Sequence, residues 1–224
     1  MLANNVANAS TGGYKSDREF YSLYIAPEAA DSGSDSTMPV VERPWTDFSQ
    51  GLLNNTGNPL DLALSGRGFF AANGPSGPLY TRNGNFRQAS DGKLVTADGY
   101  AVRSTTGQSL ILPGSGAIEI DRDGSVRQDG NLIGQLQIAD FTSTAGLVKQ
   151  GQNYFRATDP SIIQSAVQGA TVEQGQLEAS NAGNAEAAVR LISVMRQFEM
   201  LQKAVSLGAE LNQHAVQDVA KVGS

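Results

Sequence analysis

Apolar positions recur along this chain with two different periods. From Asn184 onward they fall three and four residues apart. With Leu191 at heptad position a, the a series is Leu191, Phe198, Val205, Asn212 and Val219, and the d series is Val194, Leu201, Gly208, Ala215 and Val222. Only Asn212 and Gly208 are not apolar, so about five heptads carry the seam of a coiled coil. A polar a residue such as Asn212 fixes register at some cost in stability, and Gly208 lets a neighbouring helix approach closely. Ile192, Met195 and Ala204 widen the stripe enough for more than one neighbour. Asn184 reads as the N-cap, Glu186 complements the positive helix end, and no proline follows. The pattern predicts a helix from about Ala185 to Val222, on the order of 57 Å long.

Between residues 52 and 141 the period is shorter. Short apolar pieces such as Leu60–Leu64, Leu94–Thr96 and Ile118–Ile120 alternate with Asn73-Gly74, Asn83-Gly84, Asp91-Gly92, Asp98-Gly99, Asp123-Gly124 and Asp129-Gly130. Asn-Gly and Asp-Gly supply the positive φ angles of tight hairpins. Many short strands with no helical pattern between them predict an antiparallel β domain, a sandwich or small barrel. Its expected core is Leu62, Leu64, Phe69, Phe86, Leu94, Val95, Val102, Ile111, Ile118, Ile120, Leu136 and Ile138. The fold class is therefore α+β: a mainly antiparallel β domain with a long C-terminal heptad helix.

The remaining segments differ in texture. Residues 1–26 are short and mixed, and their Phe20–Tyr24 cluster suits a strand or a helix. Residues 27–51 hold Pro27, Pro39, Pro44 and the acidic Asp31–Ser36 stretch, the composition of a linker or extended arm. Trp45 and Phe48 are expected to anchor that arm to the β domain. Residues 142–183 are transitional, rich in Gly, Ser, Thr and Gln, and the assembly helix occupies 184–224. A compact β domain of about 90 residues is nearer 30 Å across, too small to cover the helix alone. Part of the seam therefore calls for a partner, and another copy is the expected one.

Composition narrows the function. A net charge of −6 argues against nucleic acid or an anionic membrane as the main partner. No apolar run is long enough to span a bilayer, and the absence of cysteine removes disulfides, thiol catalysis and thiolate metal sites. Met1–Asn5 has neither the basic nor the apolar region of a cleavable signal peptide. Asp121-Arg122-Asp123-Gly124 lacks the later ligands of a calcium loop and reads as a hairpin turn. His214, the only histidine, stands beside the seam with no triad in prospect. Gly66-Arg67-Gly68 precedes a strand, not a helix, and is no phosphate cradle. Glu178 and Glu199 are expected to be solvated or salt-bridged. No enzymatic chemistry, metal or cofactor is expected. A β-rich surface binder on a helical stalk is the alternative of another class; it calls for exposed aromatics in the β loops.

Several longer stretches carry a resemblance. Gln174–Asn181 ahead of the helix, with Arg196–Met200 and Lys203 inside it, resembles the C-terminal signature of the flagellar rod, hook and hook-associated axial proteins. Asn4–Lys15 is similar to that family's N-terminal motif. Thr56–Leu64, Gly66–Phe70 and Tyr80–Gly84 resemble its rod branch, and Phe198, where distal rod subunits usually carry tyrosine, resembles the proximal subunits. The resemblance covers nearly the whole chain in order. It implies a structural subunit of the rod, the drive shaft of motility, in the periplasmic part of the basal body. It also implies terminal helices lining an inner layer with the β domain outside, and export through the flagellar type III apparatus without a cleaved signal. The implied partners are other copies and neighbouring rod and hook–basal-body proteins, with no nucleic acid and no membrane insertion. The assembly residues it singles out, with the seam, are Asn4, Asn5, Asn8, Leu191, Val194, Met195, Phe198, Leu201, Val205, Asn212 and Val219. The family places an amphipathic helix ahead of the Asn-Asn motif. Because this chain opens almost on that motif, the expectation is a truncated form or a misassigned start. A truncated chain is expected either not to assemble or to pair its exposed seam with a second copy.

Overall fold

The computed structural model describes residues 1–18, 21–25, 37–41, 45–114, 116–151, 153–165 and 169–222. A short helix α1 (Leu2–Ala7) leads into strands β1 (Asp17–Arg18), β2 (Tyr21–Ile25), β3 (Thr37–Val41), β4 (Trp45–Thr46) and β5 (Leu53–Asn55). The body follows as β6 (Leu62–Ser65), β7 (Phe69–Gly74), β8 (Gly77–Thr81), β9 (Phe86–Gln88), β10 (Leu94–Thr96) and β11 (Ala101–Val102). Next come β12 (Ile118–Ile120), β13 (Ser125–Gln128), β14 (Asn131–Gln135) and β15 (Ile138–Phe141). Residues 142–183, polar and without alternation, carry β16 (Leu147–Gln150), β17 (Tyr154–Ala157), β18 (Ile163–Ser165), β19 (Thr171–Gln174) and β20 (Gln176–Glu178). The chain then enters α2 (Asn184–Val222), a 39-residue helix.

Every strand pair is antiparallel among the described residues. The largest sheet runs β16-β17-β8-β7-β11-β10-β9, and β15 joins β7 on one side and β18 on the other. Strand β7 explains the run Phe69-Phe70-Ala71-Ala72, because it is buried on both faces. Phe70 packs with Leu62, Leu64, Phe86, Leu94, Val102 and Leu112. Phe69 and Ala71 pack with Tyr80, Phe141 and Phe155 on the other side. Edge-to-face rings tie this second cluster together, Phe69 lying 5.5 Å from Phe141 and 5.7 Å from Phe155. Phe48 docks the arm on it, 5.0 Å from Phe155. Trp45 stays exposed opposite Arg18 on the two-stranded β1–β4 ribbon, so one of the two expected anchors holds the arm.

The predicted turns divide by mechanism. Asp91-Gly92, Asp98-Gly99, Asp123-Gly124 and Asp129-Gly130 each close a hairpin between paired strands. At the last, both φ angles are positive (51° and 79°), as a two-residue type I′ turn requires. Asp123 accepts from Ser125 N at 2.9 Å, which makes the acidic loop a capped turn. Asn73-Gly74 ends β7 opposite Gly77. Asn83-Gly84 is a correction: Gly84 turns no hairpin but lies so close to Leu62 that a Cβ there would fall 1.8 Å from the Leu62 carbonyl oxygen.

Of the expected core, Leu62, Leu64, Phe69, Phe86, Leu94, Val95, Val102, Ile120 and Leu136 are buried, and Ile118 and Ile138 pack partly buried against them. Ile111 is the second correction. It is 52% exposed, while Leu110 and Leu112 on either side face inward. Successive side chains in extended chain point to opposite faces, so one residue of phase decides which leucine or isoleucine is core. The Phe20–Tyr24 cluster resolves as β2 over its described residues, Tyr21 pairing with Val41. The acidic Asp31–Ser36 stretch lies outside the described residues.

Candidate functional site

Helix α2 presents its apolar stripe to solvent. Leu191 is half-buried, but exposure runs from 46% at Val194 to 71% at Val205, with Met195, Phe198 and Leu201 between. Val189, Met200 and Leu207 are exposed as well. A contiguous apolar surface of this extent marks a contact site on a folded protein. The helix is about 58 Å long at 1.5 Å per residue, and α1 is the one named helix or strand that lies closely against it among the described residues. The side chains of Asn184, Asn212, His214 and Val219 lie outside the described residues. Glu199 is exposed on the same helix.

The three N-terminal asparagines are engaged within the subunit. Tyr14 donates its hydroxyl proton toward Asn4 Oδ1 (2.9 Å) and Asn5 Oδ1 (3.0 Å). Asn5 also donates to the Asp17 carbonyl at 2.8 Å and accepts from Asp17 N at 3.0 Å. Asn8, itself buried, bonds back to Asn4. These bonds fasten α1 to the turn that follows it. Burial, with the Asp17 charge adding to it, pushes the Tyr14 hydroxyl up to about 12.

A junction beneath α2 joins the helix to the β body. Glu178, at the end of β20, is fully buried. Its Oε1 accepts from Lys15 Nζ at 2.5 Å and from Gly51 N at 2.9 Å, and its Oε2 accepts from Arg82 Nη1 at 3.2 Å. Two buried cations thus share one carboxylate. The surplus positive charge faces backbone carbonyls: Lys15 donates to Ser49 O at 2.6 Å, and Arg82 donates to Gly66 O at 2.7 Å. Burial pulls both the Lys15 ammonium and the Arg82 guanidinium below their usual ranges, with Glu178 opposing the shift in each. Three residues on, Asn181 Oδ1 accepts from Ser16 N at 2.7 Å, while its Nδ2 donates to Asp47 O at 2.7 Å. Gly13, at φ 68°, passes so close to the Arg82–Asn83 backbone that a Cβ would sit 2.3 Å from Asn83 N. Lys149 completes the junction, donating to Lys15 O and Asp17 Oδ1, both at 2.8 Å.

Thus the N-terminal motif, the arm end Asp47–Gly51, the Tyr80–Gly84 stretch and the pre-helix signature meet at one place. The sequence marks all but the arm end as motifs and none as contacts. Charged Lys15, Arg82 and Glu178 carry no periodicity, and their type is seldom fully buried. Among the described residues no helix is long and apolar enough to cross a membrane.

Comparison with known proteins agrees with this division into body and helix. Residues 63–132 match the family model described as the flagellar hook protein FlgE/F/G D1 domain. Residues 173–218 match the one described as the flagellar basal body rod FlgEFG protein C-terminal region. A flagellar basal-body rod protein FlgF of Caulobacter vibrioides is 33% identical over 225 residues, covering 99% of this chain and 91% of that protein. The rod protein FlgG of Agrobacterium fabrum is 34% identical over 241 residues, 94% and 89% of the two chains. The FlgG of Bacillus subtilis is 30% identical over 243 residues, 96% and 91%.

Proposed function

The chain belongs to the family of flagellar basal-body rod proteins and is a structural subunit of the rod; from that premise we propose that copies assemble through the heptad seam of α2. The observation that carries this is the exposure of Val194, Met195, Phe198, Leu201 and Val205 along one helix face. Because roughly half of each such side chain is still exposed, burying it against a like surface contributes about 1–2 kcal/mol. The wider stripe lets a subunit meet more than one neighbour, and those neighbours include other rod and hook–basal-body subunits. Asn4, Asn5 and Asn8 serve this assembly indirectly by holding α1 beside α2. Asn212 and Val219 continue the seam by their heptad positions.

The family is a structural one and not a class of enzymes. Its location is the flagellum. We place this subunit in the periplasmic rod, exported through the flagellar type III apparatus without a cleaved signal, the terminal helices inside and the β body outside. The proximal position rests on Phe198.

Because the chain has no cysteine, a single introduced thiol is an unambiguous reporter. Val205→Cys, at an a position, is expected to give a covalent dimer on mild oxidation of assembled protein. Lys203→Cys, on the exposed helix face opposite the seam, is expected to give none. Equal cross-linking of the two would sink the seam as the contact.

A further inference from the structure

The charge count at the junction is unequal, and that sets an order. Four stretches of chain meet at Glu178: Gly13–Ser16, Ser49–Gly51, Arg82 on the body, and the β20–Asn181 segment that leads into α2. Removing the N-terminal stretch takes Lys15 to water and leaves Glu178 paired one-to-one with Arg82, a balanced buried pair. Removing the β20 segment instead strands Lys15 and Arg82 together without a carboxylate between them. Further acidic groups in the neighbourhood do not replace it: Asp47 is held by Arg18 at 2.9 Å, and Asp140 faces exposed Arg67 at 3.7 Å. An uncompensated buried charge is far costlier than a paired one. The two segments are therefore not equivalent, although both touch the same carboxylate.

We propose that the Lys15–Glu178–Arg82 trio is a clasp that opens in a fixed order, the N-terminal segment first and the segment carrying α2 only afterwards. In the half-open state α2 remains fastened to the body through Glu178–Arg82 and the β20–β5 pairing. Segment 13–16 is free in that state, and α1, fastened to Tyr14, departs from beside α2 with it. The clasp thus uncovers one flank of α2 while keeping the helix anchored to the body. This rests on contacts within one subunit and stands or falls independently of the seam.

Native-state hydrogen exchange on the monomer of this 224-residue chain tests the order. Gly13 N, bonded to Glu178 O, and Ser16 N, bonded to Asn181, report the N-terminal segment. Ala179 N, bonded to Leu52 O, reports the β20 segment. In the unsubstituted protein Gly13 and Ser16 are expected to exchange at least tenfold faster than Ala179 after correction for intrinsic rates. Glu178→Gln is expected to lower protection at all three by about a hundredfold or more, the factor that a stranded buried charge implies. Lys15→Met is expected to leave Ala179 within about threefold of its original rate. Glu178→Asp keeps the charge and carries the test if Glu178→Gln loosens the body, read at Leu64 and Ala72; it is expected to free Gly13 and Ser16 before Ala179. The proposal is overturned if Ala179 opens as readily as Ser16 in the unsubstituted protein, or if Lys15→Met frees Ala179 as much as Glu178→Gln does.

Discussion

Tyr14→Phe removes one oxygen from a buried ring, and its effect is expected to change sign with pH. The Tyr14 hydroxyl has one proton, directed between Asn4 Oδ1 at 2.9 Å and Asn5 Oδ1 at 3.0 Å. Deleting it near pH 9 takes a donor from half-buried Asn5 and exposed Asn4, which keep Asp17 N and Asn8 Nδ2 respectively, and costs about 1 kcal/mol, the worth of an ordinary hydrogen bond. Above that pH the phenol itself titrates. Its folded pKa is raised from 10.0 to about 12, so the folded state holds the proton more tightly than the unfolded state does. The stability this group contributes is complete below pH 10 and is lost as the pH rises through 12. A shift of about two units amounts to roughly 2–3 kcal/mol over the window. Tyr80 and Tyr154, also raised by burial, and Lys15, lowered by it, are common to both proteins and cancel in the difference. Urea unfolding at steps from about pH 9 to 12 reads that difference. The original protein is expected to start about 1 kcal/mol ahead and to fall level with or behind Tyr14→Phe by pH 12. A difference constant across the range would refute the burial and bonding assigned to this hydroxyl.

Other substitutions test the packing. Leu112→Ala is expected to cost about 2–5 kcal/mol and Ile111→Ser less than about 0.5, in equilibrium denaturation, because only the first opens a cavity. Gly84→Ala is expected to destabilise by roughly 3 kcal/mol or more, since the added carbon meets the Leu62 carbonyl at 1.8 Å; a neutral outcome would contradict that close approach. Gly130→Ala places a Cβ at φ 79° and is expected to cost about 1–2 kcal/mol in the same assay.

The legible parts of this fold are those written in local patterns. Heptad spacing from Leu191 to Val222 marks α2 without knowledge of any contact, because one face of a helix repeats in the sequence itself. Four of the six Asn-Gly and Asp-Gly pairs turn hairpins at those very residues, since positive φ is a property of the turn alone. Patterns fail where a distant neighbour decides. In Leu110-Ile111-Leu112 all three side chains are apolar, and only pairing with the rest of the body picks the inward pair. Residues 142–183 pair with strands far away in the sequence, as when β19 aligns Gln174 with Leu62. The junction is the extreme case. Lys15 and Glu178 lie 163 residues apart, and nothing near either one signals burial. The motifs around them mark importance, while the chemistry behind it, two cations on one carboxylate, is visible only in three dimensions.

The most direct test of assembly through α2 compares the unsubstituted protein with Phe198→Ser/Leu201→Ser/Val205→Ser under assembling conditions. All three side chains are more than half exposed in the single subunit, so thermal unfolding of the monomer is expected to stay unchanged. Mass by light scattering and electron microscopy are expected to show associated species, from paired copies to polymers, for the original protein and monomers for the variant. Polymers formed equally well by both would contradict assembly through this seam.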